Sequence, residues 1–264
     1  MKILCLSDLH LNDDETMDFL ISGVISNEMR EVQDIFLRET PDVVVLTGDT
    51  VSSFMVNRLS EIVNAIFCNG AHVCVTLGNH ELWGRAFKES IEELSNQKSF
   101  HSNIHLLDLE SKFEIDDCVF TGGVLFFDGS MRWSENQGLK PWNGWQDWRI
   151  KDVQNEYQNF CRSYVRRIQS VANENFGKSM FICTHHISDE RLNGHMPSSY
   201  SFYSGVKSIL PEIDLSEMKD HFLICGHTHR RVIGRLESNV LGVNVGSDYG
   251  EPLHFIIDTK DFRV

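Results

Sequence analysis

The chain has 264 residues, 41% of them hydrophobic with 18 glycines besides, a balance that builds a globular core and argues against a disordered chain. Thirty-eight acidic against 24 basic residues give a formal net charge of −14, which disfavours long nucleic acid as a partner unless a local patch or bound cations reverse the sign. No apolar run approaches the ~18 residues needed to span a bilayer, and seven cysteines without a Cys-x-x-Cys pair, four of them (Cys5, Cys74, Cys183, Cys225) inside apolar runs, point to a reducing cytoplasm and no cysteine-based zinc site.

In chain order, five short apolar runs each end on polar residues. "ILCL" (3–6) runs into "SDLH", "DVVVL" (42–46) into "TGDT", and "VCVTL" (73–77) into "GNHE". Further on, "MFICT" (180–184) runs into "HH" and "HFLIC" (221–225) into "GHTH". Consecutive β-branched and apolar residues predict strands buried on both faces. Between them, helical spacing predicts a helix over 15–39 that stops before Pro41, a second over 56–68 and a third over 84–96. Such alternation gives parallel strands with right-handed crossovers. A hairpin is expected at 112–126 and a long amphipathic helix at 147–176. The segments 222–225, 232–236, 240–245 and 253–257 read as an antiparallel meander.

In parallel sheets, chemistry collects beyond the carboxyl ends of the strands. Here those ends offer Asp8, His10, Asp49, Asn79, His80, His185, His186, His227 and His229. Asp8/His10 and His227/His229 are i, i+2 pairs, expected to project to one side from extended backbone. Imidazole and carboxylate donors without thiolate suit Mn, Fe, Zn or Ni, and the number of donors exceeds what one four-coordinate ion uses, so two ions about 3.5–4 Å apart are expected. Glycines in "TGDT", "LGNHE" and "CGHTH" would let the backbone turn sharply off each strand. Because these endings span residues 8 to 229, the chain is expected to be one domain over 1–264 with an aromatic-rich insertion at 128–150.

The ordered set "D-L-H", "G-D", "G-N-H-E", "H-H" and "G-H-T-H", from residue 8 to about residue 247, resembles the calcineurin-like metallophosphoesterase superfamily. The resemblance implies an α/β fold, a four-layer αββα sandwich with two central mixed sheets and a dinuclear metal site at the strand ends. By carry-over, Asp8, His10, Asp49 and His229 would hold one ion, and Asp49, Asn79, His185 and His227 the other, with Asp49 bridging. His185 and His186 both remain candidates for their place. The implied activity is hydrolysis of a phosphomonoester or phosphodiester by hydroxide held between the two metal ions, with His80 as the catalytic histidine. Candidate substrate contacts are Trp83, Arg132, Trp133 and His195. The expected partner is a small phosphorylated substrate, a nucleotide among the candidates. Competing readings are a nuclease, a protein phosphatase, or a scaffold that keeps the fold without catalysis.

Overall fold

A computed structural model describes residues 1–67, 70–96, 101–132, 146–198 and 200–261. The first half alternates as read: β1 (Lys2–Leu6), α1 (Asp13–Ser22), α2 (Asn27–Glu39), β2 (Val43–Thr47), α3 (Leu59–Ile66), β3 (His72–Thr76), α4 (Asn79–Leu82), α5 (Phe87–Ser95) and β4 (Ile104–Leu106). There follow the hairpin β5 (Phe113–Ile115) and β6 (Cys118–Gly123), the long α6 (Val153–Glu174), β7 (Ser179–Thr184), the short α7 (Ser201–Ser204), β8 (His221–Cys225), β9 (Val232–Glu237), β10 (Val240–Asn244) and β11 (His254–Asp258).

The strands form two mixed sheets, ordered β11-β1-β2-β3-β4 and β5-β6-β7-β8-β10-β9. Alternation along each strand assigns its faces. Ile3, Cys5, Val43, Val45 and Cys74 of the first sheet meet Phe120, Phe181, Phe222 and Val243 of the second in one buried cluster. Their neighbours Leu4, Leu6, Val44 and Val73 turn outward onto the helices, where they pack with Met29, Phe36, Ile62 and Val63. On the second sheet Val119, Met180, Ile182 and Leu223 likewise belong to the cluster that contains Phe160, Tyr164 and Ile168 of α6. Helix, sheet, sheet, helix is therefore the layer order, the α/β sandwich expected.

Four features differ from the expectations. The 15–39 helix is two helices: Gly23 closes α1 at φ 75°, and Ser26 caps α2 by accepting from the Met29 N–H. This Ser-Gly punctuation outweighs the helical spacing on either side. The C-terminal meander is not one sheet: β8 and β10 pair in parallel, β9 is antiparallel to β10, and β11 crosses to pair antiparallel with β1. The strand β4 adds a fifth member to the first sheet that its three-residue run did not advertise. Helix α6 starts at Val153, later than 147, because a short 3₁₀ turn occupies Gln146–Arg149.

Register fixes where the loops emerge. Leu6 lies opposite Leu46, and Thr47 opposite Thr76, so the carboxyl ends of β1, β2 and β3 leave the sheet at one edge. Cys183 lies opposite Ile224, which sends the loops after β7 and β8 to the same end of the sandwich.

Candidate metal centre

Each loop leaves its strand by a tight turn held by the next one. The N–H groups of Asp8, His10 and Leu11 donate to the carbonyls of Gly48, Asp49 and Thr50 at 3.1, 2.8 and 3.1 Å. Glu81, buried, accepts from the N–H groups of Asp49, Thr50, Val51 and Gly78 at 2.7–3.1 Å, tying the loop after β2 to the loop after β3. Across the two sheets, the His227 N–H donates to the Asp8 carboxylate at 2.9 Å. Here glycine is a steric requirement: a Cβ at Gly226 would collide with the side chains of Ser7 and Asp8, and one at Gly78 with Asp49.

The i, i+2 pairs do share a side, but not through extended backbone. Asp8, His10, Asp49, His227 and His229 have φ between 44° and 70°, the left-handed region. Turned this way, the chain aims consecutive loop residues inward within a few residues of leaving the sheet.

Two groups of donors result. In the first, His10 Nε2 and His229 Nε2 are 3.2 Å apart and His229 Nε2 is 3.8 Å from Asp8 Oδ1. In the second, His185 Nε2, Asn79 Oδ1 and His227 Nδ1 form a triangle with sides of 2.8, 3.0 and 3.1 Å. Between the groups stands Asp49, whose Oδ2 is 3.8 Å from His10 Nε2 and 3.4 Å from His185 Nε2. His80 faces the same oxygen at 3.8 Å.

Tautomers decide what these separations mean. His185 Nδ1–H donates to the Thr47 carbonyl at 2.9 Å, so its Nε2 carries a lone pair toward the Asn79 oxygen. Two acceptors at hydrogen-bond distance repel unless something positive lies between them. His229 is set alike: Nδ1–H donates to Asp248 at 3.2 Å and leaves Nε2 for the cluster. Ligands about 2.0–2.2 Å from a shared cation stand roughly 3–3.5 Å apart. The donor set therefore fits divalent ions in two adjoining positions.

Electrostatics point the same way. Burial, then the charges of Glu81 and Asp8, push the Asp49 carboxyl well above its usual range, and burial also raises Asp8. Burial, reinforced by neighbouring imidazoles, lowers His10 to about 2 and His80 to about 3. Burial thus disfavours a charged ring at His10 and His80, and the buried carboxylates lack positive charge beside them, the condition a cation relieves.

The remaining sequence candidates divide. Both members of the adjacent pair reach the donors: His185 Nε2 faces Asn79, and His186, whose Nδ1–H donates to the Val124 carbonyl at 3.0 Å and whose Nε2 is 3.7 Å from Asp147, has a ring nitrogen within 4.8 Å of donor atoms of His185 and His227. The Trp83 ring lies against His80, tilted by 34°, with ring centroids 3.6 Å apart. His195 donates to the Thr228 carbonyl at 2.8 Å and lines a cavity that His227 also borders. Arg132 lines a separate cavity with Asp128, Gln158 and Arg162. Trp133 and most of the 128–150 insertion lie outside the described residues. Sequence reasoning missed Asp248, Tyr249, whose ring stacks on His10 at 4.3 Å, and the buried Asp147; only Glu81, inside the quoted "GNHE", lay in a visible motif.

The fold is similar to that of phosphopantetheinyl hydrolase from Mycobacterium tuberculosis, with a TM-score of 0.64 and 11% identity over 94% of this chain and 90% of that one. It is also similar to a dimetal phosphatase from Danio rerio, with a TM-score of 0.53 and 13% identity over 94% and 87%. A comparison with curated protein sequences finds no match. The sequence profile of the calcineurin-like phosphoesterase family matches residues 1–231, a span that includes Asp8, His10, Asp49, Asn79, His185, His227 and His229, and the chain belongs to that family.

Proposed function

We propose that this chain hydrolyses a small phosphomonoester or phosphodiester with two divalent ions drawn from Mn, Fe, Zn or Ni. The observation that carries the reading is the meeting of acceptor with acceptor, His185 Nε2 with Asn79 Oδ1, inside a cluster of seven donors. In this reading Asp8, His10, Asp49 and His229 hold one ion, Asp49, Asn79, His185 and His227 the other, and Asp49 is shared. When bound, the ions supply an acidified water and neutralise charge on the phosphoryl group. The chain's own part is geometric. Loops locked by Glu81 hold the donors, and His80 stands at the rim, where its ring can give a proton to the leaving oxygen.

The organic part of the substrate has room beside His227, in a cavity of about 560 Å³ bordered by Asn193, His195, Met196, Tyr200 and Thr228. No Lys, Arg, Asp or Glu is among the described residues that line it. An uncharged group suits such walls better than the further phosphates of a nucleoside polyphosphate. A cytoplasmic setting accords with the six described cysteines, all buried and free.

The test is a panel of phosphomonoesters, cyclic and linear diesters and short oligonucleotides, assayed with Mn, Ni, Zn and Mg. Hydrolysis is expected with the wild type and none with Asp49→Ala, while His80→Ala keeps both ions and loses about 10²–10⁴ in kcat. Failure of every ester with metal bound would favour the scaffold reading; metal loss in His80→Ala would make His80 a ligand.

A further inference from the structure

The His80 ring has a defined plane but, among the described residues, no hydrogen bond that sets it: its backbone N–H donates to Asp49 at 2.9 Å, and its Nε2 stands 3.8 Å from the Asp49 Oδ2. Packing must orient it. On one side the edge of His10 approaches, with centroids 4.5 Å apart at 65°. On the other lies the Trp83 ring, at 3.6 Å and 34°. A five-membered ring pressed this closely against an indole turns only if the indole moves.

Trp83 is fixed in turn by a stretch of chain from the end of the insertion. Its indole N–H donates to Asp147 Oδ1 at 3.3 Å, and the Arg149 guanidinium lies over its ring at 5.2 Å. Gly84 N–H donates to the Arg149 carbonyl at 3.1 Å, and Lys151 N–H returns a bond to the Arg85 carbonyl at 2.9 Å. The Asp152 carboxylate then accepts from the N–H groups of Phe87 and Lys88 at 2.7 and 3.1 Å, opening α5. Residues 147–152 thus run alongside 83–88 as a strap. Asp147 is 1% exposed.

We propose that Trp83 and Asp147 are positioning residues: the strap holds the indole, and the indole holds the His80 ring on the line along which it delivers a proton to the leaving group. The inference rests on the proposed phosphoesterase reading and deepens it. Trp83 is then a wall of the catalytic histidine and not a platform for substrate. The step balances: a water oxygen bonds to phosphorus and gives up one proton, the P–O bond to the leaving group breaks with its electron pair left on that oxygen, and His80, which takes up one proton for the step, passes it to that oxygen.

The consequence is selectivity by leaving group. An alkoxide needs the proton as it departs, whereas p-nitrophenolate leaves without one. Paired p-nitrophenyl and alkyl esters of phosphate, whichever mono- or diester the wild type accepts, are assayed with Asp147→Leu, Trp83→Ala and Asp147→Asn. Asp147→Leu and Trp83→Ala are expected to lower kcat on the alkyl ester at least ~10-fold and on the p-nitrophenyl ester less than about threefold. KM is expected to hold, and elemental analysis to find two ions per chain. Asp147→Asn keeps an acceptor for the indole and should recover most of the loss. Should Asp147→Leu fail to fold by far-UV circular dichroism, Trp83→Phe, which keeps a ring and drops the N–H, should show the same selective loss in smaller measure. Equal losses on both esters, a change in KM alone, lost ions or no loss at all would overturn the positioning role. A wild type that cleaves neither ester would instead overturn the earlier reading.

Discussion

At the scale of single residues, five side chains of the centre hang from backbone that L-residues avoid. Asp8, His10, Asp49, His227 and His229 all have φ between 44° and 70°, a conformation costing roughly 1–2 kcal/mol each without a compensating bond. The loops tolerate it because their N–H groups are bonded to one another and to Glu81. Glycine carries no such strain, so the choice of replacement at such a position matters. In chelator, His229→Gly should be more stable than His229→Ala by about 1 kcal/mol and unfold at a higher temperature, although both lose the same imidazole. Thermal melts followed by circular dichroism read the difference; equal melting would mean that the loop relaxes freely.

At the scale of elements, a row of aromatic rings fills the space between the sheets. Phe120, Phe181 and Phe222 stack across β6, β7 and β8 with centroids 4.7 and 4.4 Å apart. Phe181 is completely buried in the middle of that row, and Phe181→Ala should cost about 3–5 kcal/mol in urea unfolding, far more than an exposed change such as Phe54→Ala. The central strands were legible because runs such as "DVVVL" and "MFICT" are apolar on both faces, and their polar endings told where the chemistry would gather. The strand order was not, since the pairing of β11 with β1 joins residues 254–258 to residues 2–6 through the backbone alone and leaves no pattern in either segment. Seven donors were readable as motifs. Asp147 and Asp248 were not, because a lone aspartate acquires its role only from the indole or imidazole that folding brings to it.

At the scale of the molecule, the centre joins the two halves of the sandwich. Asp8, His10, Asp49 and Asn79 follow strands of one sheet, and His185, His227 and His229 follow strands of the other. An ion held by both sheets stabilises the folded state by RT ln(1 + [M]/Kd), about 2.7 kcal/mol at a hundredfold excess over Kd. Chelation should accordingly lower the melting temperature, and restored Mn or Zn should raise it again. A melt insensitive to both would mean that the ions, if bound at all, do not bridge the sheets. No described helix is long and apolar enough to cross a membrane.

That division between sheets has a temporal meaning. Asp8 and His229, the first and last donors, are 221 residues apart, so a growing chain lacks part of the site until the second of them is made. An ion that draws donors from both sheets would load only once β8 lies beside β7 and the His227 N–H meets Asp8. The centre is thus complete only when both sheets are in place.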